Sequence, residues 1–507
     1  MRTEARWIDN VIKKEEYEKY MNNGKDFIND DEIWEKIKNN KDPEAQKVRG
    51  IIQKSFTLEL LSPDDTATLL NVKDPQLWDE IFDAAGQLKR KVYDNRIVTF
   101  APLYCSNFCV NNCLYCGFRS DNKDEKRLKL TLDDVRKETE VLAGKIGHKR
   151  LVVVYGEHPV SDVNYMADTI RTIYDVKVKT RKGIGEIRRV NVNAAPMSVE
   201  DLRILKDVGV GTYQVFQETY NHKIYSEVHP KGTLKANYQW RLYSMHRALE
   251  AGIDDVAIGA LFGLYDWRFE VMAMLYHAIE LESKFGIGPH TVSFPRLEEA
   301  QNSLFDTQKY KVSDEDFKKL VAVLRLSIPY TGMILTAREP AKVRREILPI
   351  GITQTDASTR IGIGAYSEIY GAEKMSEREE NQDLGKQQFM IGDPRDLDDV
   401  VHELAEMGYI TSFCTAGYRC GRTGTNIMTL LKSEKEGQFC KLNAILTFRE
   451  WLDDFASDET KKLGEELIKK EMEEVRSRIP KIYSKKTVTT LEDYHERIKN
   501  GERDLYF

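Results

Sequence analysis

No stretch of this sequence approaches the ~20 consecutive apolar residues that cross a bilayer. Its opening residues, Met1 to Arg6, already carry Arg2, Glu4 and Arg6, so the apolar core of a signal peptide is missing too. Neither charge is in excess: 76 Lys and Arg stand against 82 Asp and Glu, a net of −6. That argues against non-specific nucleic-acid binding through a basic face. Low-complexity tracts and collagen-like repeats are absent, and cysteine is scarce, at seven among 507 residues, which excludes a disulfide miniprotein. The expectation is a soluble, cytoplasmic protein with no membrane and no nucleic-acid partner. What is present suits a large core and a solvated surface, with 41% hydrophobic and 31% charged residues.

Dividing the length by ~150 residues per domain suggests about three units, unless one is a large barrel. Residues 1–95 read as a helical segment, with a capped start at Ser62-Pro63-Asp64-Asp65 and a helical run from Pro75 to Tyr93. Beyond it, short β-rich runs alternate with amphipathic helical stretches. Eight such runs stand out: Ile97–Leu103, Leu151–Tyr155, Val190–Ala194, Gly211–Phe216, Asp255–Leu261, Thr291–Phe294, Gly332–Thr336 and Gly351–Thr355. The helical patterns between them include Thr131–Gly144, Ala236–Ala251, Asp266–Phe285 and Ser313–Leu326. This alternation predicts parallel strands with crossover helices, and eight units predict one (β/α)8 TIM-type barrel over 96–372 rather than an open α/β sheet. A polar connection over 373–394 then leads to a mostly helical carboxy-terminal domain, 395–507, with helices near Phe448–Phe455 and Glu459–Arg476.

The cysteines are grouped: Cys105, Cys109, Cys113 and Cys116 lie within twelve residues, and Cys414, Cys420 and Cys440 lie near the other end. In a reducing compartment such grouping favours metal or iron–sulfur ligation over disulfides. Cys109-x3-Cys113-x2-Cys116 follows the first strand, where the loops of a barrel build its active site. Three thiolates on a four-iron cluster leave one iron open to an amino and a carboxylate group. Two other readings compete, a closed zinc site with Cys105 as fourth ligand and a set of unliganded thiols; Cys105 alone reads best as a packed thiol at the strand end.

With Tyr115 before its last cysteine, this motif resembles the radical S-adenosylmethionine (SAM) superfamily. The surrounding Pro102-Leu-Tyr-Cys-Ser-Asn-Phe-Cys-Val-Asn-Asn-Cys-Leu-Tyr-Cys-Gly-Phe118 resembles its aromatic-amino-acid lyase branch, which includes the 2-iminoacetate synthase of thiamine synthesis and the HydG-type tyrosine lyase of FeFe-hydrogenase maturation. The resemblance runs from about residue 60 to the end. It implies a 4Fe-4S cluster on Cys109, Cys113 and Cys116, with SAM bound by residues at successive strand ends. Gly156 and Glu157 resemble the superfamily's Gly-Glu segment, in which the glutamate binds the ammonium of SAM. Asn193, Gln217 and Glu218 are further candidates for SAM, with Tyr115 beside the cluster. After strand five, Ile258-Gly259-Ala260-Leu261-Phe262-Gly263-Leu264 offers small residues against which a flat adenine fits. Taken singly, each is also readable as a loop cap. Arg338 is the candidate for holding a substrate carboxylate, its alternative being an ion pair with Glu339. Ser358 and Arg360 are weaker candidates. His277 and His290 are candidate iron ligands, and a histidine on a helix such as 275–281 is also readable as a satisfied core residue.

The maturase relatives carry a carboxy-terminal Cys-x2-Cys-x22-Cys motif for a second iron–sulfur cluster. Here Cys414 and Cys440 keep that frame, but Gly417 stands where the middle cysteine belongs. Either Cys420 substitutes, giving Cys414-x5-Cys420-x19-Cys440, or the cluster is lost; a third reading makes all three ordinary buried thiols. The resemblance implies reductive cleavage of SAM to a 5′-deoxyadenosyl radical and hydrogen abstraction from tyrosine. Cα–Cβ cleavage to p-cresol and dehydroglycine follows, and then carbon monoxide and cyanide for the hydrogenase cluster, with other maturation proteins as partners. The alternatives are a lyase that stops at dehydroglycine and a non-catalytic iron–sulfur scaffold or carrier.

Overall fold

Ser62 and Asp65 form the expected capping box, each side chain accepting the other's backbone N–H, and start the helix Pro63–Leu70. The helix Pro75–Tyr93 follows, with Leu77, Ile81, Ala85 and Leu88 buried on one face, as their spacing predicts. These helices belong to a computed structural model that describes residues 2–371 and 382–507. Part of the expected polar connection, residues 372–381, lies outside the described residues.

Eight parallel strands follow: Arg96–Ser106, Arg150–Tyr155, Arg189–Asn193, Tyr213–Gln214, Val256–Gly259, Thr291–Ser293, Gly332–Leu335 and Gln354–Asp356. Each pairs with the next, and the eighth returns to the first through Val98–Gln354, Thr99–Thr355 and Phe100–Asp356, closing the barrel. Inside, Phe100, Val152 and Ile334 pack against one another. The predicted (β/α)8 barrel, with helices around it and a mostly helical remainder, is the fold.

Several bounds differ from expectation for visible reasons. The helix predicted over 236–251 is split at Tyr243 into Tyr238–Leu242 and Ser244–Ala251. The Arg247 guanidinium donates to the Trp240 carbonyl at 2.6 Å, so that carbonyl stays satisfied where the helix breaks. The eighth strand starts at Gln354 rather than Gly351, because the helix Ala341–Gly351 runs on and Arg325 donates to its last carbonyl at 2.7 Å. The ribbon formed by Val178–Lys179 and Ile184–Gly185 was not predicted. Nor was a ninth strand, Ile410–Ser412, which pairs in parallel with Arg96–Val98 at the start of strand one. The long helix Glu436–Asp454, buried along most of its length, packs on this ninth strand. The carboxy-terminal region is thereby hydrogen-bonded to the barrel sheet. Among the described residues no helix is long and apolar enough to cross a membrane.

Candidate functional site

Strand one runs directly into the cysteine loop, which is held by side chains rather than by regular structure. The Asn107 amide donates to Glu125 Oε1 and the Lys126 carbonyl, both at 2.8 Å, and its oxygen accepts the Leu128 N–H at 2.7 Å. Arg127 donates to the carbonyls of Asn107 and Phe118, both at 2.8 Å, tying the start of the loop to its end. Cys109, Cys113 and Cys116 then line one cavity of about 160 Å³ at the end of the barrel to which the strands run. Burial pushes the Cys109 and Cys113 thiols above their ordinary pKa, so both hold protons that iron must displace.

Strand two, paired with strand one, ends beside this loop with Gly156 and Glu157 on the same cavity. A Cβ at Gly156 would lie 2.2 Å from the Phe108 carbonyl oxygen, so only glycine lets this strand end lie against the cysteine loop. Gly156→Ala is expected to force the two apart, at ~1–3 kcal/mol in stability and with less iron bound per chain, read by thermal denaturation and iron assay. Glu157 is buried and accepts a hydrogen bond from Asn111, and burial raises its pKa. Asn111 also donates toward Cys109 Sγ at 3.7 Å and accepts the Lys235 N–H at 2.9 Å, joining loop, strand two and the segment after strand four. Asn193 and Glu218 line the cavity. Against the raising effect of burial, Lys235 (2.7 Å) and Arg241 (3.0 Å) hold the Glu218 carboxyl below its ordinary pKa. Gln217 is not among the residues that line this cavity; its amide is buried, with neither polar atom hydrogen-bonded. Tyr115 packs beside Cys113, its hydroxyl 2.8 Å from His229 Nε2 and turned from the cavity.

Three neighbours escaped the sequence reading. Lys235 and Arg241 follow strand four on short helical segments that no motif marks. Gln388 arrives from the chain beyond strand eight, its amide donating to Cys116 Sγ at 3.4 Å and its oxygen accepting the Tyr104 hydroxyl at 3.0 Å. An N–H aimed at a cluster sulfur favours the reduced state. Gln388→Leu is therefore expected to lower the reduction potential of a 4Fe-4S cluster reconstituted on Cys109, Cys113 and Cys116, in an EPR-monitored titration.

Arg338 is not paired with Glu339, which is held bidentately by Arg296. Its guanidinium instead stacks 3.3 Å from the centre of the Phe389 ring and lies in the field of Cys116 and Glu218, with burial lowering its pKa. Cys105 is a fully buried core thiol, not a fourth ligand. Among the described residues no three His, Cys, Asp or Glu side chains converge as a single metal ion would need. Three cysteines around an open cavity fit a cubane that they share, rather than a closed zinc site.

A second cavity, about 70 Å³, lies at the opposite barrel end, where strands begin: Arg96, Arg150, Asp255, His290 and Gln354 meet Cys414, Gly417, Tyr418, Glu436 and Cys440. His290 Nδ1 and the Tyr418 hydroxyl are each 2.7 Å from Asp255 Oδ2. Cys420 is not brought here. It is exposed, its sulfur 3.9 Å from the Phe507 carbonyl, because the short helix Ala416–Arg419 ends before it and turns it outward. The residues present thus supply two thiols and do not fit a cluster held by three cysteines. His277 is corrected as well. It is buried on the helix Trp267–Phe285, its Nδ1 2.9 Å from the Tyr220 hydroxyl and its ring against Phe27, outside both cavities. Ser358 accepts the Leu397 N–H and Arg360 donates to the Thr359 and Pro394 carbonyls, which are structural tasks.

A closed barrel whose first strand delivers three cysteines, and whose second ends in Gly-Glu across one cavity, defines a radical SAM enzyme. Residues 103–275 match the Radical SAM superfamily and residues 293–410 the Biotin and Thiamin Synthesis associated domain. The fold superposes on the crystal structure of HydG, a maturase of the FeFe-hydrogenase, with a TM-score of 0.86 and 47% identity over 95% of this chain and 100% of that one. It also superposes on the FeFe-hydrogenase maturase HydG from Carboxydothermus hydrogenoformans, with a TM-score of 0.74 and 36% identity over 92% and 97% of the two chains. The 2-iminoacetate synthase of Salmonella typhimurium is 29% identical over 64% of this chain and 82% of its own length. The chain belongs to the HydG family of radical SAM enzymes.

Proposed function

We propose that this protein cleaves tyrosine between Cα and Cβ, giving p-cresol and dehydroglycine, in the maturation of an FeFe-hydrogenase. The observation that carries this reading is the single cavity shared by Cys109, Cys113 and Cys116 with Gly156 and Glu157. A 4Fe-4S cluster and SAM, when bound there, supply an electron-initiated hydrogen abstraction. The chain's own residues orient and exclude. Glu157, kept in place by Asn111, accepts the ammonium group of SAM, and Asn193 and Glu218 receive its polar edge. Arg338, stacked on Phe389 and free of Glu339, takes the tyrosine carboxylate. The barrel wall keeps water from the reacting carbon. A cytoplasmic setting, in which thiols stay reduced, suits the seven free cysteines, and the product would pass to other maturation proteins. In this reading residues 96–372 carry the cleavage and 395–507 the second site.

A second reading is favoured by the lower cavity. With Gly417 on its wall and Cys420 turned outward, the chain would stop at dehydroglycine without making carbon monoxide or cyanide. One anaerobic assay separates the two: reconstituted protein with dithionite, tyrosine and SAM, scored for 5′-deoxyadenosine, p-cresol, cyanide and carbon monoxide. All four products support the maturase, p-cresol without the diatomics supports the shortened lyase, and none sinks both. Arg338→Ala should remove charge-assisted hydrogen bonds worth ~1.5–3 kcal/mol, lowering kcat/KM for tyrosine by about 10- to 150-fold, chiefly through KM.

A further inference from the structure

The lower cavity gathers donors that the described chain leaves unsatisfied. Arg96 opens strand one and Arg150 opens strand two; both line the cavity, and each is only 8% exposed. The Nε of each has no hydrogen-bond partner. Arg150 gives one N–H to the Cys414 carbonyl at 3.0 Å, and the Arg96 guanidinium lies 5.1 Å from the centre of the Tyr93 ring. From the carboxy-terminal side Thr415 adds a buried hydroxyl that is likewise unpartnered. The charges do not cancel either. Asp255 is paired with His290, and Glu436 lies 3.6 Å from Arg422, which leaves Arg96 and Arg150 without an ion pair among the described residues. A buried donor without an acceptor is costly, and an uncompensated buried charge more so. Space for a counter-ion is present. The cavity measures about 70 Å³, and a Cβ built on Gly417 in its wall meets only the Arg422 carbonyl oxygen, at 3.6 Å. At ~30 Å³ per water, that is room for an ion of a few heavy atoms and not for a nucleotide.

We infer that the lower cavity binds one small oxyanion, a phosphate or a short carboxylate, between the Arg96 and Arg150 guanidinium groups of the barrel and the Thr415 hydroxyl of the carboxy-terminal region. Guanidinium forks match paired oxygens, and the ion cancels charge that the fold otherwise leaves buried. It bridges the starts of strands one and two to the segment that follows the ninth strand. A ligand held only by the docked arrangement stabilises it, so the ion tightens the attachment of residues 410–440 to the barrel. Such a site needs no iron in this cavity, and it stands whatever the upper cavity cleaves.

The full chain, carrying its upper cluster and saturated with SAM, is exchanged into chloride buffer and titrated calorimetrically with inorganic phosphate and, separately, with acetate. One ion per chain is expected to bind, the tighter of the two naming the source, with a higher melting temperature and slower amide exchange over 410–440. Arg96→Gln and Arg150→Gln should each weaken binding about 10- to 100-fold, and Arg96→Lys should restore part of the loss. Gly417→Asp, which brings a carboxylate of its own to the seat, should bind no added anion and melt above wild type in chloride. Arg338→Ala should bind as wild type does, which separates this cavity from the upper one. Cys414→Ser/Cys440→Ser should also bind as wild type does, because the ion is held by arginine and not by metal on the thiols. Failure of both anions to bind at millimolar concentration, unchanged affinity in Arg96→Gln, or loss of binding in Cys414→Ser/Cys440→Ser would each overturn the oxyanion site.

Discussion

Cys113→Ser is expected to reduce 5′-deoxyadenosine formation by more than about 100-fold, since displacing even an outer partner of a metal ligand costs about 10- to 100-fold. The substitution keeps the side chain's size at a site only 6% exposed, so the fold should persist and the loss should be chemical. Oxygen is a poor replacement for a thiolate on iron, and two cysteines cannot keep a four-iron cluster in a shared pocket. Iron assay and product analysis should fall together, with circular dichroism unchanged. The neighbouring Cys105→Ser makes the contrast. That thiol is fully buried among apolar side chains and contacts the Leu103 carbonyl at 3.9 Å, so its replacement should disturb packing and leave iron binding in place. Because burial raises the Cys109 and Cys113 pKa values, loading releases protons and should strengthen as pH rises.

Gly417→Cys is expected to add about four iron atoms per chain and, in the tyrosine assay, to bring cyanide and carbon monoxide from background to stoichiometric amounts. The backbone accepts the change. Gly417 lies within the short helix Ala416–Arg419, outside the left-handed region, and its Cβ would make only a normal contact. The new sulfur would join Cys414 and Cys440 on one cavity wall. Cys420→Ser serves as the control and should alter neither iron nor products, because its sulfur faces the chain terminus. An unchanged iron count in Gly417→Cys would mean that the lower cavity is not a cluster site in any form.

The upper site was legible because its chemistry is local. Three cysteines in eight residues and the Gly-Glu at the end of strand two are contiguous motifs, and strand–helix alternation placed both at one end of the barrel. Lys235, Arg241 and Gln388 escaped because each reaches the cavity through tertiary packing. Gln388 meets Cys116 across 272 positions of sequence, and no period or spacing encodes that. The same blindness explains Cys420 and His277. A thiol six residues from Cys414 reads as a ligand until the helix Ala416–Arg419 turns it outward, and a helical histidine reads the same whether it faces a cavity or an aromatic nest. The ninth strand was missed because three residues, Ile410–Ser412, give too short a pattern to separate strand from loop.

Strand one serves both ends of the molecule. Its first residues pair with Ile410–Ser412 beside Cys414, and its last residue leads into the loop of Cys109. At ~3.3 Å per residue its eleven residues act as a rail about 35 Å long with one of the two cavities at each end. A one-residue slip at either pairing would carry both cavities out of alignment together, so the two share a single mechanical tolerance.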